Sequence, residues 1–100
     1  MFFLDQYEEF CPNCGYPSLK EKLQYEPYQY KADILKYLQS GHIHMVTASR
    51  IIDVFTGEKT NIELVFMNDG KYSWTSKIPY YVEKYNLRLP KEFEKHILNK

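Results

Sequence analysis

Two thiols and two imidazoles are the first side chains whose types and spacing suit a reaction or a ligand. Cys11-Pro12-Asn13-Cys14 sets two thiols two residues apart, and Gly15 relieves the turn, the spacing of a zinc knuckle. Two thiolates so placed can share one tetrahedral ion, but a structural zinc takes four ligands and the chain has only these two cysteines. His42 and His44 complete a set of four, because residues two apart on a strand point to the same side. A second option is two chains each giving two thiolates. The third, no metal and no cofactor, is the expectation, because the spacer between the pairs is long and the histidine pair tight. A thioredoxin-like dithiol needs a helix opening behind it, and Gly15 and Pro17 open none. A disulfide needs an oxidising compartment.

Other catalytic patterns are weak. The sequence has no phosphate-binding glycine loop, and Ser40, Ser49, Ser73 and Ser76 lack the setting of an activated nucleophile. Asp53, Glu58, Glu63 and Asp69 read as solvated polar positions. A nuclease built on His42, His44 and an acid is a minor alternative, and the expectation is that the chain is not an enzyme. Tyr25, Tyr28, Tyr30 and Tyr37 lie near Lys31 and Lys36, a pattern that can stack bases beside a basic groove. Thirteen basic residues balance thirteen acidic ones, however, and the first thirty residues are acidic, which weighs against nucleic acid. Ten tyrosines, six phenylalanines and one tryptophan suit a small core and a contact surface. Tyr25, Tyr28, Tyr30 and Tyr80 are the candidate partner-binding residues.

The elements that would position these groups follow from spacing. One hundred residues with 44% hydrophobic content make about one domain. The opening Met1-Phe2-Phe3-Leu4-Asp5 has no basic stretch, and no apolar run reaches the roughly 18 residues of a membrane span, so a cytoplasmic protein is expected. Residues 1–29 read as a loop-rich arm with the CxxC turn and a short strand over 19–25; residues 30–100 read as a single domain. Ile34, Leu35 and Leu38 predict a helix over 30–39, stopped by Ser40-Gly41 with the glycine left-handed. Residues 42–75 read as β: runs at 42–47 and 51–55, a turn at 56–59, and a strand over 60–67 with Ile62, Leu64 and Phe66 on one side. Asn68-Asp69-Gly70-Lys71 predicts a type I′ hairpin, returning through Tyr72 and Trp74. Ser76 caps a helix over 77–85 striped by Ile78, Tyr81, Val82 and Tyr85, which Asn86 ends. Pro90 opens a last helix over 91–98 that buries Phe93 and Ile97 and holds His96 in its final turn. The fold class is α+β: a small antiparallel sheet of three or four strands with about three helices packed on one face. Ile62, Leu64, Trp74, Tyr81 and Phe93 are expected to meet in its core.

Tyr37-Leu38-Gln39-Ser40-Gly41, Asp53-Val54-Phe55-Thr56-Gly57-Glu58, Asp69-Gly70-Lys71-Tyr72-Ser73-Trp74, Tyr80-Tyr81-Val82-Glu83-Lys84-Tyr85 and Leu89-Pro90-Lys91-Glu92-Phe93 together resemble a family of small bacterial proteins without an established activity. The resemblance covers roughly residues 35–98 and implies no catalytic residue. Cys11-Pro12-Asn13-Cys14-Gly15-Tyr16-Pro17 is similar to the start of cysteine-rich bacterial modules, which carry a second cysteine pair that this chain lacks. Both resemblances imply a bacterial immunity protein that neutralises a toxin domain by masking it, with a homodimer as a further option. The alternative is a zinc-stabilised nucleic-acid-binding or regulatory module built on the CxxC turn.

Overall fold

Apolar spacing in the C-terminal half sets most of the framework. The computed structural model describes residues 2–99; Met1 and Lys100, the outer ends of the expected segments 1–29 and 30–100, lie outside the described residues. The elements are β1 (Phe2–Phe3), α1 (Lys31–Gln39), β2 (His42–Ile52), β3 (Lys59–Asn68), β4 (Tyr72–Thr75), α2 (Lys77–Tyr85) and α3 (Lys91–Leu98). Three helices and one four-stranded sheet make an α+β fold. The sheet order is β1-β4-β3-β2. It is mixed, not purely antiparallel, because β1 runs parallel to β4 through the pairs Phe2–Tyr72 and Phe3–Ser73. A parallel neighbour needs a long connection, and here residues 4–71 separate the two strands.

Residues 2–29 hold one more regular piece, a 3₁₀ turn at Leu19–Glu21, where a strand was expected. Ser18 decides this locally. Its hydroxyl accepts from the Lys20 N–H, and the Glu21 carboxylate accepts from the Ser18 N–H, a capping box that favours a helical turn over extended chain. Leu4, Tyr7 and Leu19 from this segment join the same core as Trp74, Tyr81 and Phe93.

The two β runs predicted over 42–55 form one strand, β2, whose register against β3 breaks between Ile43 and Met45, Val46 and Arg50, and Arg50 and Ile52. The core-facing side of β3 also differs from expectation. Trp74 pairs directly with Met67, so Met67 and Val65 share its face, and Ile62, Leu64 and Phe66 point the other way. Trp74, Tyr81 and Phe93 are fully buried, whereas Ile62 is exposed and Leu64 half-buried outside that cluster. The expected five-residue contact is therefore divided between two faces of the sheet.

α2 and α3 hold their predicted bounds, and α1 starts one residue later than predicted, at Lys31. Ile78, Tyr81 and Val82 are buried along α2, and Asn86 ends it in the left-handed region at φ 58°. Ser76 precedes α2 without capping it; its hydroxyl donates to Glu63 O at 2.6 Å and accepts from Val65 N at 3.0 Å, tying the helix start to β3. In the β3–β4 turn only Gly70 has positive φ, 94°, so a single glycine at the first central position makes the turn, as in type II′ and not I′.

Gly41 departs from expectation in an instructive way. It is not left-handed. A Cβ there would lie 2.6 Å from Cζ2 of Trp74, so the glycine is required because the indole packs onto its backbone. The indole N–H is itself buried without a hydrogen-bond partner among the described residues, so close packing and not polar bonding holds the ring. Gly41→Ala is expected to cost about 1–3 kcal/mol through overpacking. A denaturant midpoint unchanged from wild type would show that the indole can shift without cost.

Candidate functional site

The predicted site residues scatter. Cys11 and Cys14 are bonded to each other as a disulfide, their Cα atoms 5.6 Å apart across the tight turn. His42 and His44 lie exposed on β2, where the Nδ1 of His44 sits 2.8 Å from Nδ2 of Asn68. No group of three or more histidine, cysteine, aspartate or glutamate side chains among the described residues is arranged to hold a metal ion, so Cys11, Cys14, His42 and His44 are not brought together. Of the partner-binding tyrosines, Tyr25 and Tyr30 are exposed. Tyr28 and Tyr80 are committed internally. Tyr28 donates to Leu87 O at 2.8 Å under the Arg88 guanidinium, and burial followed by the Glu94 charge pushes its phenol up to about 12. Tyr80 donates to Asp53 at 2.6 Å. No helix among the described residues is long and apolar enough to cross a membrane.

Carboxylates read as solvated positions prove to be structural anchors. Asp53 is fully buried at the β2–β3 tip. Its Oδ1 accepts from the N–H groups of Phe55 and Thr56, and its Oδ2 from the hydroxyls of Tyr80 and Tyr85, with Lys84 Nζ at 3.4 Å. Burial alone would push the carboxyl up; the two phenols and two amides outweigh it and hold it at about 2. The tip is thereby fastened to α2, and Val54 N–H adds a bond to the Tyr81 hydroxyl at 3.0 Å. Asp69 works likewise in the β3–β4 turn. It accepts from Tyr72 N–H at 2.7 Å and Lys71 N–H at 3.0 Å, pairs with His96 Nε2 at 2.8 Å, and takes the Tyr37 hydroxyl. These bonds overcome burial and hold its carboxyl well below the usual carboxylate range. The position of Asp53 before a Thr-Gly pair is a signal for such a turn anchor; its two tyrosine partners are about thirty residues away.

With these groups spent on the fold, the surface that stands out is β2. It is one of the two edge strands of the sheet, β1 being the other, so no described strand lies beside its outer backbone edge. Ile43, Met45 and Val46 are 53%, 49% and 59% exposed, and Ile52 and Ile62 are exposed nearby. Residues 42–49 contain no Lys, Arg, Asp, Glu or Pro, the residues that commonly block an edge. The edge is cleanest before Thr47. Beyond it the Thr47 hydroxyl donates to Leu64 O at 2.9 Å and accepts from Ser49 N–H, and the strand bulges. The first formal charge, Arg50, faces Glu63 at 4.0 Å.

No family model matches this chain, and neither a curated protein nor a solved structure does. Its own surface and chemistry carry the functional conclusion.

The depressed carboxyls of Asp53 and Asp69 give the protein a definite acid response. A group whose folded pKa lies below its unfolded value stabilises above the unfolded value, and that stability disappears as pH falls through the folded one. For Asp53 the window runs from the ordinary 3.8 down to about 2. Asp5 acts in the opposite sense, because burial raises its carboxyl despite two bonds from Thr75 and the charge of Lys77. The melting temperature is expected to hold from neutrality to about pH 4 and then fall, with Asp53 accounting for about 2 kcal/mol of the loss. Asp53→Asn should lower stability at neutral pH and flatten the acid limb. Parallel acid limbs for the variant and the wild type would remove Asp53 from this account.

Proposed function

We propose that this chain is a protein-binding protein whose docking element is the exposed edge of β2, and that the strand it takes up is β2 of a second copy. The supporting observation is the exposure of Ile43, Met45 and Val46 on an outermost strand that is uncharged from 42 to 49. Soluble proteins rarely leave a long apolar edge unguarded, because its N–H and C=O groups recruit another strand. A twofold interface must be complementary to itself, and β2 meets that requirement. An antiparallel pairing centred on Val46 lays Val46 of one copy against Val46 of the other and Met45 against Thr47. Arg50 then faces His42, so the two arginines do not oppose each other. The interior polar groups support binding in place of a reaction: the carboxylates of Asp5, Asp53, Asp69 and Glu94 are each engaged by donors from elsewhere in the fold. Masking of a bacterial toxin domain is the activity the resemblances suggest for such an assembly.

Sedimentation equilibrium tests the pairing. Wild type is expected to dimerise at micromolar concentrations, about −8 kcal/mol of association. Val46→Lys, which adds a charge to the edge at an exposed position, should be monomeric with an unchanged melting temperature. A wild type that stays monomeric at about 100 µM, or a Val46→Lys variant that dimerises as well as wild type, would defeat the proposal.

A further inference from the structure

A cavity of about 480 Å³ lies away from β2, between the N-terminal segment and the start of α3. That size falls within the range of small-molecule sites. Its walls are mostly apolar: Leu4 and Leu89 are almost fully buried, Pro17 and Pro90 add flat faces, and the half-exposed Phe2 ring stands among the lining groups.

Two kinds of polar group border this space without a protein partner. Tyr7 is 4% exposed and forms part of the wall, yet its hydroxyl makes no hydrogen bond to another described residue. That hydroxyl is not among the buried atoms left without a partner, so it is open to solvent and free to donate to a ligand acceptor. Then there is charge. Lys22, Arg88 and Lys91 line the cavity against one carboxylate, Glu94, a net charge of +2 by three cations minus one anion. Glu94 is already engaged by Arg88 and Leu89. Its Oε1 accepts from Arg88 Nη2 at 2.6 Å, and its Oε2 from Arg88 Nε at 3.1 Å and Leu89 N–H at 3.0 Å. The excess positive charge therefore resides on Lys22 and Lys91, neither of which is in an ion pair with a described residue.

We propose that this cavity binds an aromatic carboxylate. The ring lies on Leu4, Leu89 and the two prolines, the Tyr7 hydroxyl donates to a ligand oxygen, and the carboxylate faces Lys22 and Lys91. An apolar wall with an isolated hydroxyl donor and two unmatched cations selects an anion attached to a flat apolar body over either a bare anion or a neutral ring.

Titration with 2-naphthoate, followed by backbone amide NMR and calorimetry at low salt, tests the site. The neutral analogue 2-naphthalenemethanol and benzene-free acetate serve as comparison ligands. Saturable shifts are expected at residues 4–7 and 88–91, with affinity reduced about tenfold when Lys22→Ala and Lys91→Ala are combined, a change of 1.4 kcal/mol. Both lysines are exposed, so this variant should keep the wild-type melting temperature. Running the titration also on Val46→Lys separates the result from self-association. Shifts that do not saturate, shifts elsewhere on the molecule, equal affinity for the neutral analogue, or an undiminished affinity in the double variant would each overturn the proposal.

Discussion

Burying a carboxylate is costly unless donors surround it, and this small fold places four in that position, each binding one segment of chain to another. Asp5 takes the Thr75 N–H at 2.9 Å and the Thr75 hydroxyl, joining the N-terminal segment to the end of β4. Asp53 fastens the β2–β3 tip to α2. Asp69 links the β3–β4 turn to α1 through Tyr37 and to α3 through His96. Glu94 holds Arg88 and Leu89, the link between α2 and α3. Most of the segments so anchored lie outside helices and strands, where backbone N–H groups lack a repeating partner. The carboxylates supply it.

The hydrophobic layer depends on those anchors. Trp74, Phe93, Tyr72 and Tyr37 meet as a set of ring contacts between β4, α3 and α1, with Trp74 and Phe93 centroids 5.8 Å apart and Tyr72 and Phe93 4.8 Å apart. Tyr37 belongs to this layer and also donates to Asp69, so one phenol ties apolar packing to a polar anchor. The tyrosines that looked available for a partner divide along the same line. Tyr28 and Tyr80 have their hydroxyls inside the structure, and Tyr25 and Tyr30 lie outside.

The helices gather around β4, with α2 in contact with that strand and α1 packed on both α2 and α3. β2 lies two strands away from β4 and is exposed over most of its length. The exposed apolar edge is thus a consequence of where the helices pack.

In the C-terminal half, helix type and length were readable from local signals. The bounds of α2 and α3, the Asn86 stop, the Pro90 start and the glycine-centred hairpin follow from periodicity and capping, which act within a few residues. Every feature set by partners distant in the chain had to wait for the tertiary structure. The alternation of β3 was visible, but which side faces the core was decided by Met67 pairing with Trp74, and a shift of one residue would exchange the two faces. Gly41 was recognised as a helix stop, while its actual requirement comes from an indole more than thirty residues away. Asp69 was placed in a turn by its neighbours and Asp53 in a β run, but their phenol and imidazole partners, and hence their charge state, come from α1, α2 and α3. The uncharged run from 42 to 49 was written in the chain from the start. Only the strand order made it an edge, because which strand lies outermost depends on all the pairings together.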